Sequence, residues 1–177
     1  MTITTVAVLG AGHGGCAAAA DLGSRGYKVR LHARNPTRLA PLRAQGGVAV
    51  RGVHQGLVPI ETMTADLAEA VRGADLIMLV VPSTAHEDYA RALAPLLDGR
   101  QPVFLNPGHT GGALHFLHAL RRAGNRLPEP RRRPSNTLVR LAGLALGIDY
   151  RRDGLTLERL GLAGKSPADL IRFVKSA

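Results

Sequence analysis

Aromatic residues and cysteine are scarce in this chain of 177 residues, which has no Trp, three Tyr, three Phe and one Cys. The lone Cys16 excludes an internal disulfide and suits a reducing compartment. It follows directly on a glycine run, where a small helix-packing residue is the simpler reading than a reactive thiol. Hydrophobic residues make up 45% of the chain, enough for a folded core. Even so, no apolar run reaches the ~18 residues of a membrane-crossing helix. The opening Met1-Thr2-Ile3-Thr4-Thr5 lacks the basic patch and apolar segment of a signal peptide, so a cytoplasmic location is expected. Acidic residues are few as well, 13 against 23 basic, for a formal charge of +10. Nine arginines lie between Arg121 and Arg152, opposed there only by Glu129 and Asp149. Such a patch could attract nucleic acid. No aromatic side chains interleave with the arginines to stack bases, which argues against nucleic acid as a partner. No metal ligands and no membrane contact are assigned.

What the chain does have is an apolar stretch, Val6-Ala7-Val8-Leu9, running into Gly10-Ala11-Gly12-His13-Gly14-Gly15. Gly10, Gly12 and Gly15 fall in the three places of Gly-x-Gly-x-x-Gly, followed by the small residues from Cys16 to Ala20. In a dinucleotide-binding turn the first glycine allows the tight bend, the second admits a pyrophosphate, and the third lets helix and strand touch. The phosphates then sit on free N–H groups at the positive end of the helix. Gly10, Ala11, Gly12, His13, Gly14 and Gly15 are therefore candidate cofactor-binding residues. A plain glycine-rich turn is the competing reading, and the strand before and helix after weigh against it.

Strand and helix signals alternate up to about Leu127. Strands are expected from Ile3 to Leu9, Lys28 to Ala33, Asp75 to Val81 and Pro102 to Leu105. Helices are expected from Gly14 to Arg25, Pro36 to Ala44, Ala65 to Arg72 (capped by Thr64), Thr84 to Leu97 and Gly111 to Ala123. A β-hairpin is expected from Gly47 to Arg51 and Leu57 to Ile60. The near-continuous apolar run after Asp75 marks a central parallel strand covered on both faces. The expected fold is α/β: a Rossmann-like, doubly wound parallel sheet with a short helical C-terminal appendage. It divides into a dinucleotide-binding domain over residues 1–127, a Pro/Arg-rich linker over 128–135 and a helical remnant over 136–177. The linker's prolines, Pro128, Pro130 and Pro134, bar regular structure. The remnant is too small to hold a core alone, so its apolar positions, such as Leu141, Leu144 and Ile171, are expected to drive formation of a homodimer.

An NAD-specific site usually carries an acid at the end of the second strand, on the ribose 2′-hydroxyl. Here Leu31-His32-Ala33-Arg34-Asn35 holds none. Arg34 could meet a 2′-phosphate or stack on adenine, with Arg38 one turn on, so NADP is favoured over NAD. A plain surface arginine is the alternative at Arg34. Two further turns fall at strand ends, where open α/β sheets bind ligands. Val81 and Pro82 would border the nicotinamide ribose, and Asn106, Pro107 and Gly108 would offer backbone groups; a turn without a ligand is open for each.

Together these segments resemble the opine (octopine/nopaline) dehydrogenase family. The residues that carry the resemblance are the glycine motif, Ala33-Arg34-Asn35, Val80-Val81-Pro82-Ser83 and, above all, the run Asn-Pro-Gly-His-Thr-Gly-Gly-Ala-Leu at 106–114. The segments 146–150 and 154–162 are similar to the family's extreme C-terminus. The resemblance implies an NAD(P)-dependent reductive condensation of an amino acid with a 2-oxo acid. It also implies a helical second domain, about as long again, that carries the catalytic His and Asp. Some ten proline- and arginine-rich residues stand in that place here, so the chain is expected to be truncated and inactive alone. No histidine matches the family's His-Pro motif, and no catalytic residue is carried over. His109 is nearest the expected nicotinamide, where a hydrogen-bonded loop role suits it better than catalysis. A non-catalytic nucleotide-binding module and a basic nucleic-acid-binding protein are the alternatives.

Overall fold

The computed structural model describes residues 3–52, 55–108 and 112–125. The linker over 128–135, the remnant over 136–177 and His109 lie outside the described residues.

Five parallel strands form the central sheet in the order β5-β2-β1-β6-β7. They are β1 (Thr5–Leu9), β2 (Lys28–His32), β5 (Thr62–Thr64), β6 (Leu76–Leu79) and β7 (Val103–Leu105). Every residue of β1 is buried, which is why Thr-Val-Ala-Val-Leu is apolar on both sides. It pairs with β2 from Thr5↔Lys28 to Leu9↔His32 and with β6 from Val6↔Leu76 to Leu9↔Leu79. The chain thus winds outwards in both directions from β1, and the doubly wound expectation holds.

Alternation along β1 sends Val6 and Val8 to one face and Ala7 and Leu9 to the other. The first face is covered by α1 (His13–Ser24), whose Gly15, Ala19 and Ala20 are buried. Beside it stand α2 (Ala40–Gln45) and a separate antiparallel hairpin, β3 (Gly47–Val50) with β4 (Gly56–Pro59). The second face is covered by α3 (Leu67–Val71), α4 (His86–Leu93) and α5 (Gly112–Arg122). There Ile77, Leu79, Leu93, Phe116 and Leu120 make a large-residue core. Removing side chains of this size from water stabilises the fold by roughly 1.5–3 kcal/mol each.

Three local expectations need correction. The helix expected from Pro36 to Ala44 is instead a short 3-10 turn (Pro36–Arg38) followed by α2. Pro41 has no N–H to donate back to Thr37, so a continuous helix loses a bond there. Thr64 does not cap the next helix: it ends β5, a short strand the periodicity missed. The cap is Asp66, whose Oδ1 accepts from the Ala68 N–H at 2.8 Å and the Glu69 N–H at 3.4 Å. The helix expected over Thr84 to Leu97 opens as a 3-10 turn, Ser83–Ala85, before α4 begins.

Candidate functional site

The turn between β1 and α1 is tied at its ends and open in the middle. Gly10 has φ +119°, and a Cβ there would strike the Val80 carbonyl oxygen and meet Val81 Cγ1 at 2.8 Å. At Gly15 a Cβ would collide with the Gly10 carbonyl oxygen, so helix and strand touch backbone to backbone. Gly12, the N-cap of α1, has φ −82° and ψ −175°. A Cβ there would meet nothing within 4 Å, so the space beside it is free. The first amides of α1 have no partner within the helix, and no acid stands in its first turn. An anion of two linked phosphates fits that combination of free donors, helix dipole and room.

Parallel pairing brings the other predicted turns to the same edge of the sheet. The Val80 N–H donates to the Leu9 carbonyl at 2.8 Å, which sets Val81 and Pro82 beside Gly10. The Asn106 N–H donates to the Leu79 carbonyl at 2.8 Å, carrying Asn106, Pro107 and Gly108 to the next place along that edge. All lie at the carboxyl ends of strands on either side of the switch in winding direction, where open α/β sheets bind ligands.

A cleft of about 420 Å³ opens beside the glycine turn. One wall is Ala11, Gly12, His13, Cys16 and Ala17; the other is the hairpin residues Val48, Ala49, Val50 and Arg51, with Arg38 completing it. Burial pushes the Cys16 thiol above its ordinary value, which leaves it a neutral wall residue. Sequence reading missed the hairpin wall. Its only signal was Arg51 directly after an apolar strand, and nothing local tells which element that strand will face.

Arg34 and Asn35 are engaged elsewhere in the fold. An Arg34 guanidinium nitrogen lies 3.4 Å from Asp88 Oδ2, and its carbon sits 5.4 Å from the Tyr89 ring centre. Asp88 also pairs with Arg91 at 2.8 Å. Asn35 caps the 3-10 turn, accepting from the Thr37 N–H at 3.0 Å and hydroxyl at 2.7 Å. Just before them His32, only 2% exposed, pairs through Nδ1 with the Tyr89 hydroxyl at 3.3 Å. Burial holds the His32 ring below its ordinary value, so it is neutral near pH 7. The same burial raises the Tyr89 hydroxyl. Of the other histidines, His86 is buried edge-on to Phe116, and His115 lies 3.9 Å from Glu87 on the surface. Among the described residues no three His, Cys, Asp or Glu side chains are grouped to hold a metal, and no helix is long and apolar enough to cross a membrane.

Known proteins match this region. The chain is 37% identical over 121 residues to an opine dehydrogenase of Arthrobacter sp. (strain 1C), covering 68% of this chain and 34% of that protein. It is 36% identical over 124 residues to a glycerol-3-phosphate dehydrogenase [NAD(P)+] of Halorhodospira halophila, covering 68% and 36%. A structure of octopine dehydrogenase with NADH and pyruvate superposes at a TM-score of 0.59 and 25% identity, covering 69% of this chain and 34% of that one. The glycerol-3-phosphate dehydrogenase of Coxiella burnetii shares the fold at a TM-score of 0.55 and 24% identity, covering 70% and 38%. This chain therefore spans about a third of the length of the curated relatives it matches. The family model for the NAD-dependent glycerol-3-phosphate dehydrogenase N-terminus matches residues 5–106, more than half of the chain. The chain belongs to that family, as a Rossmann-type NAD(P)-binding dehydrogenase domain.

Proposed function

We propose that this chain is the cofactor-binding half of an opine dehydrogenase-type oxidoreductase, with NADP favoured over NAD. The observation that carries the dinucleotide reading is the open position at Gly12, set among free helix amides beside a cleft lined by two arginines and no acid. Gly12, His13 and Gly14 would hold the diphosphate, with Val81, Pro82, Asn106, Pro107 and Gly108 bordering the nicotinamide end. When bound, the nicotinamide supplies or accepts a hydride. The chain's own part is to hold that ring at the sheet edge and exclude water from its buried side. The absence of an acid from Ala33-Arg34-Asn35 supports NADP, since nothing there would repel a 2′-phosphate.

The choice of an opine-type reaction over glycerol phosphate oxidation rests on the run at 106–114, since the sequence identity is as high to glycerol-3-phosphate dehydrogenases as to an opine dehydrogenase. In that reaction the amine of an amino acid condenses with a 2-oxo acid, losing water to give an imine. A hydride and a proton then reduce the imine to a secondary amine, and a base elsewhere must manage the protons. Among the described residues His32 and His86 are buried in the core, His115 and His118 lie along α5, and His13 stands on the glycine turn at the diphosphate end, so none is placed at the nicotinamide end as such a base. The chain alone therefore binds cofactor without turnover, in the cytoplasm, and associates as a homodimer.

Calorimetry with NADPH and NADH tests the reading, with micromolar binding and a preference for NADPH expected. Binding of neither would overturn it. Cofactor oxidation by the isolated chain that depends on both an amino acid and a 2-oxo acid would overturn the half-enzyme assignment. Light scattering should give a mass near twice 18.7 kDa.

A further inference from the structure

Among the described arginines, some are held by carboxylates and others are not, and of the second kind two, Arg38 and Arg51, line the cleft beside Gly12. Arg25, Arg30, Arg34, Arg91 and Arg100 each face a carboxylate. Arg38 and Arg51 come from different elements: Arg38 ends the 3-10 turn after β2, and Arg51 follows β3 of the hairpin. Two exposed cations facing one concave space without a counter-charge repel each other, and a dianion between them removes that repulsion. In a doubly wound fold the adenosine ribose lies at the end of the second strand, while the diphosphate lies on the glycine turn. The cleft joins those two places, since its walls include Gly12 and His13 at one end and Arg38 at the other.

On the reading of the chain as a dinucleotide-binding domain, we propose that Arg38 and Arg51 together form the subsite for the 2′-phosphate of NADPH. Arg34 is not the phosphate ligand. It shares Asp88 with Arg91, and its guanidinium lies near the Tyr89 ring, outside the cleft lining, which suits it to flank an adenine through contacts NADH and NADPH share. Arg51 makes the hairpin a determinant of cofactor choice, although its strands belong to a different sheet from the nucleotide fold.

The test uses the full chain and its Arg34→Ala, Arg38→Ala, Arg51→Ala and Arg51→Gln variants, with circular dichroism to verify folding. The probes are NADPH, NADH, 2′,5′-ADP and 5′-AMP. Charge-assisted contacts at exposed sites stand at the lower end of their range, so each change at Arg38 or Arg51 should weaken NADPH and 2′,5′-ADP about tenfold. NADH and 5′-AMP should hold within about twofold, while Arg34→Ala should weaken all four probes alike. Loss of the NADPH preference through Arg34→Ala alone would overturn the proposal. So would equal losses for NADPH and NADH at Arg38 and Arg51, which would assign the pair to the diphosphate. A wild-type chain that binds both cofactors without preference overturns this subsite and leaves the dinucleotide reading standing; one that binds neither overturns that reading itself.

Discussion

The two faces of the central sheet are built from different materials. On the face under α1, helix and strand meet through Gly15, Ala19 and Ala20, and a glycine backbone touches a glycine backbone. On the opposite face Tyr89, Leu93, Phe116 and Leu120 fill the space between sheet and helices. Small residues draw α1 down so that its N-terminus stands over the end of β1, at the cost of contact area. Large residues on the far side restore that area. The α1 contact positions a ligand and the packing under α4 and α5 holds that side of the fold, so changes at the two should separate binding from stability.

The largest expected effect is on the first face. Gly12→Val should abolish cofactor binding with a native circular dichroism spectrum, because its Cβ meets no protein atom and its backbone angles suit any residue. Retained binding would show that the space beside Gly12 is not where phosphates sit. Next is Leu93→Ala on the far face, which should cost about 2–5 kcal/mol in urea unfolding. Cofactor affinity measured in the folded range should stay within about twofold; a parallel loss of affinity would erase the distinction between the faces. Tyr89→Phe is smaller, about 1 kcal/mol, since it leaves a buried His32 nitrogen without its 3.3 Å partner.

His32 adds a pH dependence to that region. Burial keeps the folded ring neutral, whereas the unfolded chain takes up a proton below the ordinary value of 6.5. Stability should therefore be full above that pH and decline as pH falls from it towards the lowered folded value. His32→Gln should flatten the slope just below pH 6.5. The smallest effect expected is at Asp75, which accepts from the Thr5 and Thr4 amides at 2.9 Å and the Thr4 hydroxyl at 2.8 Å. These bonds, the Thr5 amide first, hold its carboxyl below the ordinary 3.8. Its contribution is present above that value and lost as pH falls through the folded one, so Asp75→Asn should blunt only the acid end of a thermal-melt series.

Where a signal is local, the sequence was enough. The buried strand β1, the glycine turn and the apolar run of β6 each carry their pattern within a few residues, and the sheet follows from them. Thr62–Thr64 was missed because three residues cannot show a period, and it becomes a strand only by pairing with β2. The misplaced cap at Thr64 has the same origin: Thr64 and Asp66 both suit a helix start, and the pairing of β5 decides between them. In the site, the glycines were legible because backbone sterics dictate them. The opposite wall, from Val48 to Arg51, was not, because the packing of hairpin on helix joins residues more than thirty positions apart. The fates of Arg34 and Asn35 were hidden likewise, the first by Asp88 on a distant helix and the second by the cap it makes for its own turn.

The hairpin's independence has an evolutionary consequence. Among the described residues β3 and β4 pair only with each other, outside the five-stranded sheet. Substitutions at the tip of such an appendage can accumulate without disturbing the register of the strands that define the nucleotide fold. If Arg51 reads the cofactor as proposed above, a single exchange there would trade one redox currency for another with the five-stranded scaffold unchanged.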